Sequence, residues 1–179
     1  MDKKNASVTN CNLPPVLPKP RSSIEAHESL LWLEKARCLQ IIIAYNEDKT
    51  QEETALYMAI LLDRISEYGP WADKLDFLIH PRIVRCWESP NIYAQHIRQT
   101  MALVNRINRS FTVLTYVNVR LEIDYANFQQ MKLAACFIAL KVYWKLSYYV
   151  DGIFNLNEIG AHSHLMRRLC SVYDRDCKV

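Results

Sequence analysis

The chain has 179 residues, half of them apolar, and a formal net charge of +3. This composition excludes wholesale disorder, and the length is sufficient for one folded domain with a sizeable core. The mild charge argues against a nucleic-acid partner, since proteins that read nucleic acid usually concentrate far more basic charge. The three glycines are too few for a Gly-rich phosphate-binding loop or for an all-β fold with many tight turns.

Residues 1–21 form a polar leader with prolines at positions 14, 15, 18 and 20. That spacing is typical of polyproline II ligands of SH3-type domains, but it is also common in disordered tails, and we predict a disordered tail. The opening sequence MDKKNASVTN lacks the apolar core of a secretory signal. The six irregularly spaced cysteines are therefore predicted to be reduced, in the cytoplasm or the nucleus.

Residues 22–90 are predicted to form flanking helices. Ser22 and Glu25 have the spacing of a capping box and precede an apolar run that ends at Ile43. A second capping box begins at Thr50 and opens the sequence TALYMAILLDRISEY, which the pair Gly69-Pro70 should end. A short further helix is predicted over residues 71–79.

Two patterns follow in the next part of the chain. The sequence IYAQHIRQTMALVNRIN predicts a helix capped by Asn91, because its apolar residues recur at helical spacing. The stretch 110–124 is ambiguous: apolar and β-branched residues alternate from Phe111 to Ile123, which taken alone predicts a strand. The same stretch also offers a helical stripe, and the helices predicted around it favour a helix there.

The stretch Phe128–Val150 is predicted to be the buried central helix of the domain. It carries no charge from Leu133 to Leu140, and it is rich in strong helix formers. A helix that is apolar nearly all round needs neighbours on every side. The uncharged run is far shorter than the roughly 20 residues that a membrane span requires, so a globular helical domain is the better interpretation.

The remaining residues are predicted to form a last helix from Asn155 to Tyr173, with residues 174–179 frayed. The pair His162 and His164 could be imagined as zinc ligands, but residues two apart on a helix point to different sides. No catalytic motif is present in the sequence. We therefore predict no metal, no cofactor and no enzymatic activity.

On the predicted central helix, Lys141, Lys145 and Tyr148 fall on one face at spacings of i, i+4 and i+7. That face is either a solvated edge or a contact edge for an acidic or hydrogen-bonding partner. Tyr148 and Tyr149 are suited to core packing or to the rim of a protein interface. These four residues are the predicted partner-binding set.

Three stretches together resemble a cyclin box over residues 92–172, in particular that of single-box cyclins of the yeast phosphate-regulation type. They are the helix with Tyr93 and Arg98, the sequence Tyr116–Arg120, and the sequence Phe137–Tyr143, which is similar to the third, buried helix of that family. The resemblance implies an all-α, cyclin-like helical domain over residues 91–173. It also implies a structural pair between Arg98 and Asn118, with Asn in place of the family's Asp.

The resemblance further implies a non-catalytic regulatory subunit that binds a cyclin-dependent protein kinase. Lys141 matches the family's kinase-contacting lysine, whereas the partner glutamate of the last helix falls near Ser163 and is missing. The alternative is a helical scaffold or adaptor protein that kept the fold and lost kinase binding. No membrane and no small-molecule substrate are expected. A nucleic-acid-binding relative of the cyclin fold is disfavoured by the modest charge.

Overall fold

A computed structural model describes residues 27–45, 50–81, 90–123, 128–150, 153–155 and 163–178. The predicted tail over residues 1–21 and the capping box at Ser22 lie outside these described residues. Within them the chain is a mixed α/β protein. The predicted all-α, cyclin-like fold is therefore wrong.

Among the described residues, six strands form one sheet in which each strand lies beside the next one along the chain. The inner pairs are parallel, and the two outer pairs are antiparallel. The strands are β1 (Leu30–Leu33), β2 (Cys38–Ala44), β3 (Lys74–His80), β4 (Tyr116–Ile123), β5 (Tyr143–Val150) and β6 (Ile153–Asn155).

Helical segments connect the parallel strands. The α-helices are α1 (Gln51–Ile65), α2 (Pro90–Ser110), the single turn α3 (Phe128–Met131) and α4 (His164–Val172). Three 3₁₀ helices span Glu34–Ala36, Ser66–Tyr68 and Lys132–Ala139, and a π-helical turn spans Tyr173–Cys177.

The predicted helix after Thr50 is confirmed together with its capping box. Thr50 Oγ1 accepts from the backbone N–H of Glu53 at 3.2 Å, while Glu53 Oε2 accepts from the backbone N–H of Thr50 at 2.8 Å. The helix ends through the 3₁₀ turn Ser66–Tyr68 just before Gly69. Gly69 packs directly on α2, since a Cβ there would lie 2.1 Å from the carbonyl oxygen of Ser110.

The helix predicted from Asn91 is also confirmed, as α2. Its face toward the sheet contains Ile97, Leu103, Val104 and Ile107, each at most 3% exposed. Helical spacing of apolar residues was a sufficient signal here, because one face of α2 is buried and the other is solvated.

The helices predicted up to Ile43 and over residues 71–79 are wrong, because the described part of the first stretch forms β1 and β2 and most of the second belongs to β3. In β2 the buried residues are Leu39, Ile41 and Ile43, and in β3 they are Leu75, Phe77 and Ile79. Burial with a period of two is the pattern of a strand with one covered face. The same alternation occurs in β4, so the helix that we favoured for residues 110–124 is wrong and the strand alternative is correct over Tyr116–Ile123.

The predicted central helix Phe128–Val150 is divided into two structures. Its first half is helical and buried, with Leu133 to Phe137 at most 3% exposed, as the 3₁₀ helix Lys132–Ala139. Leu140 then turns extended, and the chain continues as β5. Asn108 of α2 fixes this break: its Nδ2 donates to the Ala139 carbonyl at 2.9 Å, and its Oδ1 accepts from the Lys141 N–H at 3.0 Å.

The end of the chain differs from the prediction as well. Asn155 lies in β6 rather than at the start of a helix, and α4 begins at His164 with Ser163 as its N-cap. The Ser163 hydroxyl accepts from the Met166 N–H at 3.1 Å. Part of the segment predicted to be frayed is the π-helical turn Tyr173–Cys177.

The described helical segments between the parallel strands pack on one face of the sheet. Crossovers between parallel strands are right-handed in nearly all proteins, so a strand order that advances always in one direction places every crossover on the same side. One contiguous core joins the helices to alternate residues of the strands, such as Phe77 and Val119. A parallel sheet is usually covered on both faces, whereas the helices among the described residues all pack on one face of this one.

Candidate functional site

The side of the sheet on which no described helix packs is called the open face below, and it is formed by the strand residues that alternate with the core. Strand register aligns these side chains in rows, as in the row Gln40, Asp76, Asn118 and Lys145. The open-face residues are Cys38, Gln40, Ile42 and Ala44 of β2; Lys74, Asp76, Leu78 and His80 of β3; Tyr116, Asn118, Arg120 and Glu122 of β4; and Tyr143, Lys145, Ser147 and Tyr149 of β5.

Asp76 is the centre of a polar cluster on the open face. Arg120 donates to both of its carboxylate oxygens, from Nε at 3.1 Å and from an Nη at 2.7 Å. Asn118 Nδ2 donates to Oδ1 at 2.9 Å, and Gln40 Nε2 donates to Oδ2 at 3.2 Å. Three adjacent strands are thus joined through one carboxylate.

This cluster is suited to recognition rather than to proton transfer. Each oxygen of the Asp76 carboxylate already accepts two hydrogen bonds, and the bidentate Arg120 guanidinium balances its charge. A general base needs an oxygen that can receive a substrate's proton. The cluster instead holds Gln40, Asn118 and Arg120 in fixed positions that a partner can meet without reordering them.

Cys38 lies beside this cluster on the open face and is half-buried. Burial and the negative charge of Asp76 raise the pKa of the Cys38 thiol above its ordinary value. The nucleophilic form of cysteine is the thiolate, so a raised pKa keeps this side chain in its unreactive form at neutral pH. The arrangement gives no support to a nucleophilic role for Cys38.

A second polar pair lies at the other end of the strands. His80 Nδ1 is 3.1 Å from Glu122 Oε2, with the two side chains 40% and 42% exposed. Pairs with this exposure contribute at most about 1 kcal/mol to stability, because water screens them. Their position at the rim of the open face leaves both side chains accessible to a partner.

Apolar side chains flank the polar cluster. Leu31 and Leu33 of β1 lie opposite Gln40 and Cys38 in the register and therefore join the open face. Leu31 is 44% exposed, Ile42 40% and Tyr143 70%, and the Tyr143 ring stacks on Tyr116 with centroids 5.8 Å apart.

Among the described residues, seven large apolar side chains are exposed, and four of them belong to this surface: Leu31, Leu33, Ile42 and Tyr143. Leu31, Leu33 and Ile42 lie on the neighbouring strands β1 and β2, whereas Tyr143 lies on β5 beyond the polar cluster. Exposed apolar side chains that neighbour one another, with polar groups beside them, are typical of an interaction site.

The predicted partner-binding residues do not share one face, because β5 directs their side chains to opposite sides of the sheet. Lys145 and Tyr149 are four apart in β5 and share the open face, whereas Tyr148 points to the covered face and packs partly against the core. Lys141 is exposed just before β5. The predicted helical face of Lys141, Lys145 and Tyr148 is therefore wrong, because a strand alternates its side chains with a period of two.

The predicted pair of Arg98 and Asn118 is not brought together either. Arg98 is exposed on α2, which packs on the covered face, whereas Asn118 lies on the open face and donates to Asp76. The residues that sequence reasoning missed are Gln40, Asp76 and Arg120. For Asp76 and Arg120 the signal was the polar alternation in KLDFLIH and YVNVRLEI, which indicates strands with one solvated face.

One further concavity, of about 320 Å³, lies between α2 and the π-helical turn. It is lined by Tyr93, Ala94, Ile97, Arg98 and Asp176. Its acidic group is already held by a neighbour, since Arg175 donates to both Asp176 oxygens at 2.7 and 3.0 Å. Its volume is at the small end of the range for ligand pockets, and the open face offers more convergent polar groups.

In the part of the chain that the structure describes, no group of His, Cys, Asp and Glu side chains has the arrangement of a metal site. The same part contains no helix of the length and apolarity needed to cross a membrane. His162, one of the two histidines considered as zinc ligands, lies outside the described residues. Comparison with protein-family models, with curated proteins and with solved structures finds no match to this chain.

Proposed function

We propose that this chain is a non-catalytic protein-binding module and that its partner binds the open face. The observation that carries the proposal is a face of a parallel sheet on which no described helix packs and on which exposed apolar side chains flank the fixed Asp76 cluster. Interface cores are enriched in aromatic residues and arginine and are rimmed by polar groups. Tyr116, Tyr143 and Arg120 provide these groups here.

The charges of the open face favour a partner with apolar and acidic side chains. The basic residues are Lys74, Arg120 and Lys145, and the acidic ones are Asp76 and Glu122. Asp76 is balanced by Arg120, so the negative charge at the centre of the surface is met within the surface itself. A partner with carboxylates near Lys74 and apolar groups over Leu31 and Ile42 would complement this surface.

The cyclin resemblance implied a cyclin-dependent kinase as the partner. Its helical basis is wrong, because Tyr116–Ile123 and Tyr143–Val150 are strands. Kinase binding stays a prediction, and an adaptor role without a kinase is the proposal that the open face supports better. Location in the cytoplasm or nucleus is part of this proposal, and it is supported by the free thiols Cys38, Cys136, Cys170 and Cys177.

The test compares two isoleucines of nearly equal exposure. Ile42 on the open face is 40% exposed, and Ile60 on α1 is 42% exposed. The tagged protein and the variants Ile42→Lys and Ile60→Lys are each used for affinity capture from cells, with quantitative mass spectrometry. We expect Ile42→Lys to reduce recovery of the partner by at least about tenfold, since a charge is placed in an apolar contact. Ile60→Lys should recover it as the unchanged protein does.

The free energy of unfolding of each variant should lie within about 0.5 kcal/mol of that of the unchanged protein, because surface substitutions have small effects on stability. A cyclin-dependent kinase among the proteins lost with Ile42→Lys would support the kinase prediction. Loss of partners with Ile60→Lys, and full recovery with Ile42→Lys, would contradict the proposal and place binding on α1.

A further inference from the structure

Two cysteines from distant parts of the sequence meet in the core on the covered side of the sheet. Cys136 lies in the 3₁₀ helix Lys132–Ala139, and Cys177 ends the π-helical turn Tyr173–Cys177. Their Sγ atoms are 3.9 Å apart. Cys136 is fully buried, and Cys177 is 8% exposed. Both are free thiols.

We propose that Cys136 and Cys177 form an oxidisable thiol pair, at which a peroxide converts the two thiols into a disulfide that fastens the π-helical turn to the 3₁₀ helix. A disulfide bond is about 2 Å long, so the sulfurs must approach by roughly 2 Å. Cys177 lies in a π-helical turn, and such turns are rare and frequently occur at functional sites.

The two thiols differ in a way that assigns their roles. The hydrogen bond between the sulfurs lowers the pKa of Cys177, although burial and the charge of Asp176 partly oppose this. The same hydrogen bond and burial raise the pKa of Cys136. Cys177 is also the more exposed of the two, so it is the thiol that meets the oxidant first.

The reaction balances in two steps. The Cys177 thiolate attacks one oxygen of hydrogen peroxide, so that an S–O bond forms, the O–O bond breaks and the departing hydroxide takes up a proton as water. The Cys136 sulfur, on losing its proton, then attacks the Cys177 sulfur. The S–S bond forms, the S–O bond breaks and a second water leaves. Two thiols and one peroxide thus yield one disulfide and two waters.

The other described cysteines are differently placed. Cys38 is on the opposite side of the sheet, and Cys170 is exposed on α4. Cys170 provides a matched control, since it lies within the same C-terminal helical segment as Cys177 and is accessible to oxidant.

The experiment treats the full chain with a small excess of hydrogen peroxide and compares it with protein kept in a phosphine reductant. Peptide mapping should find Cys136 joined to Cys177, with the mass of two hydrogen atoms lost. The thermal midpoint should rise by roughly 5–10 °C, because the bond closes a long loop. Addition of reductant should return the midpoint to its first value.

Two variants test whether the rise in thermal midpoint depends on this pair of thiols or on another cysteine. Cys170→Ser should keep the midpoint rise, and Cys177→Ser should abolish it. Peptide mapping of the unchanged protein decides the matter even if Cys177→Ser folds poorly. The proposal is overturned if the map joins other cysteines, if Cys177 proceeds to the sulfinic acid without a disulfide, or if peroxide leaves both thiols reduced.

Discussion

Phe137→Ala is expected to lower the free energy of unfolding by about 3–5 kcal/mol, the usual range for removal of a buried phenylalanine ring. Phe137 is fully buried in the 3₁₀ helix Lys132–Ala139. Its ring lies edge-on to Phe77 of β3, with centroids 5.1 Å apart, and 6.4 Å from Trp144 of β5. The substitution therefore leaves a cavity where a helical segment meets two strands.

The measurement for Phe137 is denaturant unfolding followed by tryptophan fluorescence. Phe137→Leu should cost less than Phe137→Ala, because more of the cavity stays filled. Leu56→Ala is the control. Leu56 is 64% exposed on α1, and its substitution should change the free energy of unfolding by no more than about 0.5 kcal/mol. If Phe137→Ala is no more destabilising than Leu56→Ala, the packing of the 3₁₀ helix on the sheet is contradicted.

Asp76→Ala is expected to destabilise the protein by about 1–3 kcal/mol, because Arg120, Asn118 and Gln40 lose their shared acceptor. The Asp76 and Arg120 side chains are 18% and 29% exposed, so solvent reduces the cost below that of a fully buried pair. The substitution should also weaken partner binding, since the cluster that fixes the open face is lost.

A double-mutant cycle with Asp76→Ala and Arg120→Ala measures the interaction energy between these two side chains. We expect a coupling energy between about 0.5 and 3 kcal/mol, the range for residues in one hydrogen-bonded network. Glu122→Ala is the matched control on the same face, since its carboxylate is 42% exposed beside His80. A coupling energy near zero would show that the Asp76 cluster does not join the strands in solution.

The helices could be predicted from sequence wherever the signal was local. The capping box needs only the hydrogen bonds between Thr50 and Glu53, which are three positions apart in the chain. In α2 the buried residues recur at helical spacing on one face. The strands were missed for a different reason. In Tyr116–Ile123 the alternation of apolar and polar residues was visible. We nevertheless favoured a helix there, because the flanking stretches were themselves predicted to be helical.

In the stretch Phe128–Val150, predicting helical periodicity throughout also led to a wrong prediction of the functional surface. Phe137 to Tyr143 resembled a cyclin helix only if the helix continued, and Leu140 turns extended instead. Strong β-formers such as Tyr143 and Trp144 then begin β5. Lys145 and Tyr149 do belong to the open face, but the helical spacing that selected them is absent.

The polar cluster could not be predicted from sequence alone. Arg120 and Asp76 are 44 positions apart, and they meet only because β3 and β4 pair in one register. A shift by one residue would turn Arg120 toward the core. Strand pairing of this kind depends on long-range packing, whereas capping and helical spacing depend on neighbours in the chain.

The central claim, that a protein partner covers the open face, is tested most directly by alkylation of Cys38. The rate is measured by peptide mapping at mildly alkaline pH, with and without saturating partner, the partner being the protein that Ile42→Lys fails to capture. Cys38 is half-buried on the open face, and Cys170 is exposed on α4. We predict that the partner slows alkylation of Cys38 at least about tenfold and leaves Cys170 unchanged. Equal rates at Cys38 with and without bound partner would contradict the claim.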